Sequence, residues 1–314
     1  MIGEALVEQL YGVGQVMRAF FRAGSRIKHL DHYSVELFDT DFSAPRSLSE
    51  ALGDADTVYN LAAETRTVKS QDEYDLVNVE GLRSLLDASL AANVRRFVQV
   101  SCAQVCPPAS IGKSLDEKSE EYPTSEYLKS KLLGEKICQD YARRFPELGV
   151  VIIRLAKIIG PTDPFTVSII EALRRGQATL PRDSDRPFSL LYVKDAASAI
   201  RAMSKANVPA GEVYIASGFV VTPRELLNEF ASSMGMNPKI ERPSRTASRL
   251  SLFFHNRLTG KTSTTKRLAW QNLHAEGLFS STKALTDLGF DPAFGISETA
   301  KETIYTYDKS KSTI

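Results

Sequence analysis

The stretch Ser125–Glu135 reads SEYLKSKLLGE and sets Tyr127 and Lys131 four residues apart. In a helix that spacing puts both side chains on one face, so an ammonium lies beside a phenol and favours its ionised form. A phenol tuned in this way can serve as a general acid or base. Leu133, Ile137, Tyr141 and Phe145 recur every four residues and predict a buried stripe on the opposite side, while Pro123 and Ser125 supply a start signal. Taken alone, tyrosine and lysine at this spacing are also compatible with a solvated helix face. The flanks add weight. RRFVQVS ends at Ser101 one loop upstream and VVIIRLA begins at Val150, so the order is strand, helix, strand.

Working outward, the same alternation extends in both directions. A helix is predicted over residues 1–10, strands over Gln15–Phe21, Ser34–Phe38 and Thr57–Leu61, a short helix over Leu48–Leu52, and a long amphipathic helix over Asp72–Ala92. Strands 96–101 and 150–155 complete a pattern that predicts an α/β fold, a Rossmann-type doubly wound parallel sheet with helices on both faces. Residues 1–160 are expected to form a dinucleotide-binding domain, which also receives part of 189–215. Residues 161–314 are expected to form a smaller, mostly helical substrate lobe, with the polar tail DKSKSTI disordered.

Composition narrows the functional classes. Of 314 residues, 25% are charged and 43% hydrophobic, and the formal net charge is +1, a soluble globular profile. Such a balance argues against a nucleic-acid partner held by counterion release. Cys102, Cys106 and Cys138 lack both the number for a disulfide framework and the spacing of a zinc site, so no metal is expected. With no apolar run of membrane-spanning length and no leader pattern at the N-terminus, a reducing, cytoplasmic setting is expected.

Several segments together carry a family resemblance. They are DTDFSAPRSLSEAL at 39–52, DTVYNLAAET at 56–65, NVEGLRSLLDAS at 78–89, FVQVSCAQV at 97–105, LDEKSEEYPTSEYLKSKLLGEK at 115–136, VVIIRLAKIIGPTDP at 150–164, FSLLYVKDAASAI at 188–200, GEVYIASG at 211–218 and FSSTKALTDLGFDP at 279–292. In this order the chain resembles the extended short-chain dehydrogenase/reductases, in the epimerase/dehydratase and 3β-hydroxysteroid-dehydrogenase-like group. The resemblance implies hydride transfer between nicotinamide and a carbinol or carbonyl carbon. Tyr127 would move the proton, and Lys131 would lower its pKa and hold the nicotinamide ribose. Asn78 matches an asparagine kept near the active-site helix. The hydroxyl that polarises the substrate oxygen falls on Cys102, a weaker donor, unless a local twist brings Ser101 round; a structural buried cysteine is the alternative.

The same resemblance assigns the cofactor side. Asp41 would meet the adenine and Ala62 and Ala63 the adenosine through backbone, with Phe42, Leu61 and Leu155 as further cofactor-binding residues. Met1-Ile2-Gly3 resembles only the last part of a glycine-rich loop, with Gly3 in the role of close helix packing. The first strand and most of that loop are absent, so the chain is expected to be a truncated form whose sheet leaves two strands with unpaired edges. No acidic residue lies between Gln9 and Asp31, and Arg18 and Arg22 bracket the end of the first strand, which favours NADP over NAD through the 2′-phosphate. Lys157 stands where nucleotide-sugar enzymes often carry asparagine, which weighs against a nucleotide-sugar substrate.

Residues 242–275 hold Arg242, Arg245, Arg249, Arg257, Lys261, Lys266 and Arg267 with no acidic residue and with LSLFF in the middle. A phosphorylated-substrate site, peripheral contact with an anionic membrane and a solvated helix pair all fit. Three functional readings follow: a steroid-like or smaller ketone/alcohol oxidoreductase, a nucleotide-sugar epimerase or dehydratase, and a non-catalytic protein that kept the fold. By analogy with the family, a homodimer through the Tyr127 helix is expected.

Overall fold

The computed structural model describes residues 1–21, 27, 30–40, 45–65, 69–107, 112–176, 178, 180, 184–237 and 277–312. The chain opens with α1 (Ile2–Tyr11), β1 (Met17–Phe21), β2 (Val35–Asp39), α2 (Pro45–Leu52) and β3 (Thr57–Asn60). Then come α3 (Gln71–Asp75), a π-helical turn (Leu76–Glu80), α4 (Gly81–Ala91), β4 (Arg96–Cys102), β5 (Ser114–Leu115), α5 (Glu126–Arg144), β6 (Val150–Leu155) and β7 (Lys157–Ile159). The remainder holds α6 (Pro164–Arg174), β8 (Phe188–Tyr192), α7 (Val193–Lys205), β9 (Val213–Ala216), β10 (Val220–Val221), α8 (Pro223–Ser233) and β11 (Leu278–Phe279), followed by helices Thr282–Leu288 and Ile296–Ser312.

The central sheet is parallel, in the order β3-β4-β6-β9. Every residue of β6 is buried, as expected for VVIIRL covered on both faces. Each such aliphatic side chain stabilises the fold by about 1.5–3 kcal/mol relative to exposure. Alternate residues of the strands feed two cores. Val98, Val100, Val151, Ile153 and Leu155 join α1 and α7 on one face; Phe97, Val150 and Ile152 join α2, α4 and α5 on the other.

The pair β1-β2 is a separate parallel ribbon. It shares the layer, since Met17 enters the first core and Phe20 packs against the second. Yet no described strand pairs with the other edge of β1 or of β3. Strands β7, β8 and β10 form a small sheet of their own, and β9 alone of the 189–215 region pairs with the central sheet. Residues 308–312 of the tail continue the last helix instead of standing free. Among the described residues, no helix is long and apolar enough to cross a membrane. The basic segment 242–275, Arg22, Asp41 and Phe42 lie outside the described residues.

Candidate active site

Helix α5 begins at Ser125, whose side chain caps Leu128 N–H at 3.2 Å. Of the expected stripe, Ile137 and Tyr141 are buried and Phe145 packs against the second core, but Leu133 does not join them. Ser130, Lys131, Leu132, Gly134, Glu135, Ile137, Cys138, Tyr141 and Ala142 are buried, whereas Leu133 is 41% exposed. Tyr127 and Lys131 therefore lie along the packed side of the helix, against the sheet, and not opposite it. Gly134 permits the close approach, because a Cβ there would meet the Asn78 carbonyl oxygen and the Leu82 side chain, each at 3.2 Å.

The π-helical turn supplies the brace for this wall. Turns of this kind insert an extra residue into a helix and recur at functional sites. Asn78 sits in the turn, buried, and makes three hydrogen bonds. Its Oδ1 accepts from Glu64 N–H at 2.8 Å, while Nδ2 donates to the Glu64 carbonyl at 3.2 Å and to Ser130 Oγ at 2.9 Å. Ser130 in turn donates to the Tyr127 carbonyl at 2.8 Å. Asn78 thus acts as a positioning residue that ties the segment after β3 to the first turns of α5. The near end of that segment is fixed too, with Asn60 receiving Ala62 N–H at 3.1 Å and donating to Gln99 Oε1 at 2.8 Å. Leu61 packs on the core, and Ala63 follows between the two anchors.

Tyr127 packs against the Tyr74 ring with centroids 5.9 Å apart. Burial pushes its phenol well above the ordinary value, with Cys102 and Tyr74 adding to the effect. The expected lowering by Lys131 is not what the chain's own residues produce. Lys131 is buried, and its Nζ donates to the Val100 carbonyl at 2.7 Å. Burial also pulls the ammonium below its usual value. The phenol is consequently neutral near pH 7.

Strand β4 delivers the third group. Cys102 is partly buried, its field reaches both Tyr127 and Lys131, and its thiol is hydrogen-bonded to Gln104 Oε1. Ser101 is buried with no hydrogen-bond partner for Oγ. It pairs in register with Arg154, while Cys102 pairs with Leu155. The strand stays extended through Cys102, so no local twist exchanges the two. Beneath the site, Arg154 is 1% exposed and donates to Glu135, also buried, at 3.0 and 2.6 Å; Glu121 is a further partner. Burial alone would lower the Arg154 pKa, but its carboxylate partners hold it above the usual value.

On the cofactor side, α1 is held on α7 through Gln9, whose Nε2 donates to the Lys194 carbonyl and Ser198 Oγ, both at 2.9 Å. Its N-cap, Met1, makes no side-chain hydrogen bond. A Cβ at Gly3 would meet nothing within 4 Å, so the expected close-packing role does not apply. That uncapped helix start can offer N–H groups to a phosphate. Together with the Tyr127–Lys131 wall it fits a nicotinamide dinucleotide. Arg18, however, is engaged elsewhere, with Glu36 and Asp54 at 2.9 Å and the Leu52 carbonyl at 2.7 Å. Sequence reading also passed over Tyr74, Gln104 and Ser130; the capping box Ser70–Glu73 marks the helix that carries Tyr74, but nothing in the sequence signals the π turn.

The profile of the NAD-dependent epimerase/dehydratase family matches residues 1–216. The chain belongs to that family. A low-salt glycan biosynthesis protein of Haloferax volcanii is 28% identical over 225 residues, 68% of this chain and 71% of its own length. The 2-alkyl-3-oxoalkanoate reductase of Shewanella oneidensis is 24% identical over 256 residues, 77% of this chain and 65% of its own. Among solved structures, UDP-glucuronic acid 4-epimerase of Bacillus cereus, in complex with NAD, aligns with a TM-score of 0.77 at 21% identity, covering 99% of this chain and 96% of that one. At that identity the likeness concerns the fold.

Proposed function

We propose that this family member is an oxidoreductase that moves a hydride between a nicotinamide cofactor and a carbinol or carbonyl carbon of a steroid-like or smaller ketone. The reading rests on the convergence of Cys102, Tyr127 and Lys131 at the end of β4. In the reducing direction a nicotinamide cofactor, when bound, would supply the hydride for the carbonyl carbon. The Tyr127 phenol, kept neutral by burial, gives its proton to the carbonyl oxygen. The Cys102 thiol stands beside that phenol as a weak second donor. The α1 N-terminus, the 61–63 segment and Lys131 would hold the cofactor. With Arg18 engaged, a preference for NADP over NAD rests on Arg22.

The similarity to the 2-alkyl-3-oxoalkanoate reductase supports a 3-oxo or 3-hydroxy acid as substrate. The nucleotide-sugar reading is supported by the neighbouring folds, but the residues after Cys102 weigh against a dehydratase. Ala103 and Gln104 carry no ionisable group, whereas loss of water needs an acid and a base beyond one phenol. The test is NADPH or NADH absorbance after addition of 3-oxo acids, ketosteroids and nucleotide sugars. Net cofactor oxidation with a ketone supports the proposal. Sugar interconversion without net absorbance change replaces it with an epimerase, and cofactor binding by neither nucleotide favours a non-catalytic protein.

A further inference from the structure

A cleft of about 380 Å³ separates the C-terminal half of α7 from the turn that follows helix Thr282–Leu288, a size that suits a small molecule. Arg201 and Lys205 stand one helical turn apart on the α7 side, with the small side chains of Ala202 and Ala206 beside them. Asp287 and Asp291 line the other side, around the buried Phe290. Among the described residues no salt bridge joins the two sides, and the side chains of Arg201, Lys205 and Asp291 make no hydrogen bond or ion pair. Asp287 is engaged through Oδ2, which accepts from Tyr214 Oη at 3.2 Å.

This cleft lies away from the reacting end. The Ala206 carbonyl accepts from Arg96 Nη2 at 3.0 Å, and Arg96 opens β4 whereas Cys102 closes it. At about 3.3 Å per residue, the two ends of that strand are about 20 Å apart. The charges of the cleft also restrict what can enter it. An anion drawn to Arg201 and Lys205 meets two carboxylates, and a cation drawn to Asp287 and Asp291 meets a guanidinium and an ammonium; like charges brought together across an interface cost affinity. A molecule with a carboxylate at one end and an ammonium at the other satisfies both sides, and the planar fork of an arginine matches a carboxylate.

We propose that this cleft is a second binding site, for a small zwitterion of the amino-acid type, whose carboxylate pairs with Arg201 and Lys205 and whose ammonium pairs with Asp291 and with Oδ1 of Asp287. The test is saturation-transfer NMR, with calorimetric titration for affinity, at low ionic strength. Glycine, 4-aminobutyrate and 6-aminohexanoate serve as rulers of charge spacing, and hexanoate and hexylamine as singly charged controls. Exposed ion pairs are individually weak, so the best zwitterion should bind with a Kd of about 1 mM and each control about fivefold more weakly or worse. Arg201→Gln and Asp291→Asn should each reduce zwitterion binding to the level of the controls, while Arg201→Lys should keep most of it. Thermal midpoints should stay at the parent value, because these side chains hold nothing else; if Arg201→Gln lowers its midpoint, Asp291→Asn decides. Hexanoate or hexylamine binding as tightly as the best zwitterion overturns the proposal, as does zwitterion binding that both Arg201→Gln and Asp291→Asn leave unchanged. Absence of binding by all three zwitterions to the parent chain rejects it outright. Neither cofactor nor turnover enters the measurement, so its outcome is independent of the hydride-transfer reading.

Discussion

The wall formed by β4 and α5 and the ribbon formed by β1 and β2 occupy one layer of the fold but are built differently. On the wall, the polar groups nearest the site are buried and committed: Asn78 to Glu64 and Ser130, Lys131 to Val100, Arg154 to Glu135 and Glu121. In the ribbon, β1 has one buried residue of five and β2 has none. An isolated two-stranded ribbon is marginal in water. The comparison teaches that this chain specifies the reacting end from its own interior, whereas the margin expected to face the adenine draws little support from its own strand pairing.

The strongest test of that contrast is Tyr127→Phe. It removes the proposed proton donor while keeping the ring against Tyr74, so kcat should fall by about 10²- to 10⁴-fold with little loss of fold. Unchanged turnover would show that another group moves the proton. The same variant has a pH signature. The folded phenol is raised above its ordinary value of about 10. Its stability contribution is therefore complete below that pH and is lost as pH rises above it. Between about pH 9 and 11 the parent protein should lose more stability than Tyr127→Phe, as urea midpoints would show.

Glu135→Ala attacks the foundation of the wall. It strands Arg154, 1% exposed, without its main counter-charge, and such losses cost about 3–5 kcal/mol. Urea unfolding should report this; a change below about 1 kcal/mol would mean that Glu121 alone suffices. Asn78→Ala should cost less, about 1–3 kcal/mol for the polar groups left unpaired. It should also speed amide exchange at Glu64, the residue whose N–H it receives. In the unaltered protein, amides of β1 and β2 should exchange well before those of β4 and β6. Equal protection would erase the distinction between the two regions.

Much of this arrangement was legible from periodicity. The strand–helix–strand order around Tyr127, the N-cap at Ser125 and the continuous apolar run VVIIRL follow from local rules, and the structure places them accordingly. What escaped depends on packing between distant segments. The four-residue repeat holds at Ile137 and Tyr141, yet tertiary packing leaves Leu133 half out and widens the buried face to Lys131, Gly134 and Cys138. The roles of Arg18 and Lys131 were equally hidden. Each was read as a cation awaiting a ligand, and each is engaged by protein groups that come near only in the folded chain: Leu52, Glu36 and Asp54 for one, Val100 for the other.

Cys102→Ser carries the smallest expected effect and sharpens the comparison most finely. Cys102 is the one position on the wall where the chain departs from the hydroxyl that its family resemblance implies. A hydroxyl is the better donor, and the site already places that side chain within the field of Tyr127 and Lys131. If the wall is preorganised, the exchange should raise kcat about two- to fivefold, with stability within about 0.5 kcal/mol of the parent. A fall in rate would mean that the thiol itself has a role, set by its bond to Gln104, and Gln104→Ala should then reproduce that fall. The sign of one small rate change thus separates a site that tolerates a poorer donor from one that was rebuilt around sulfur.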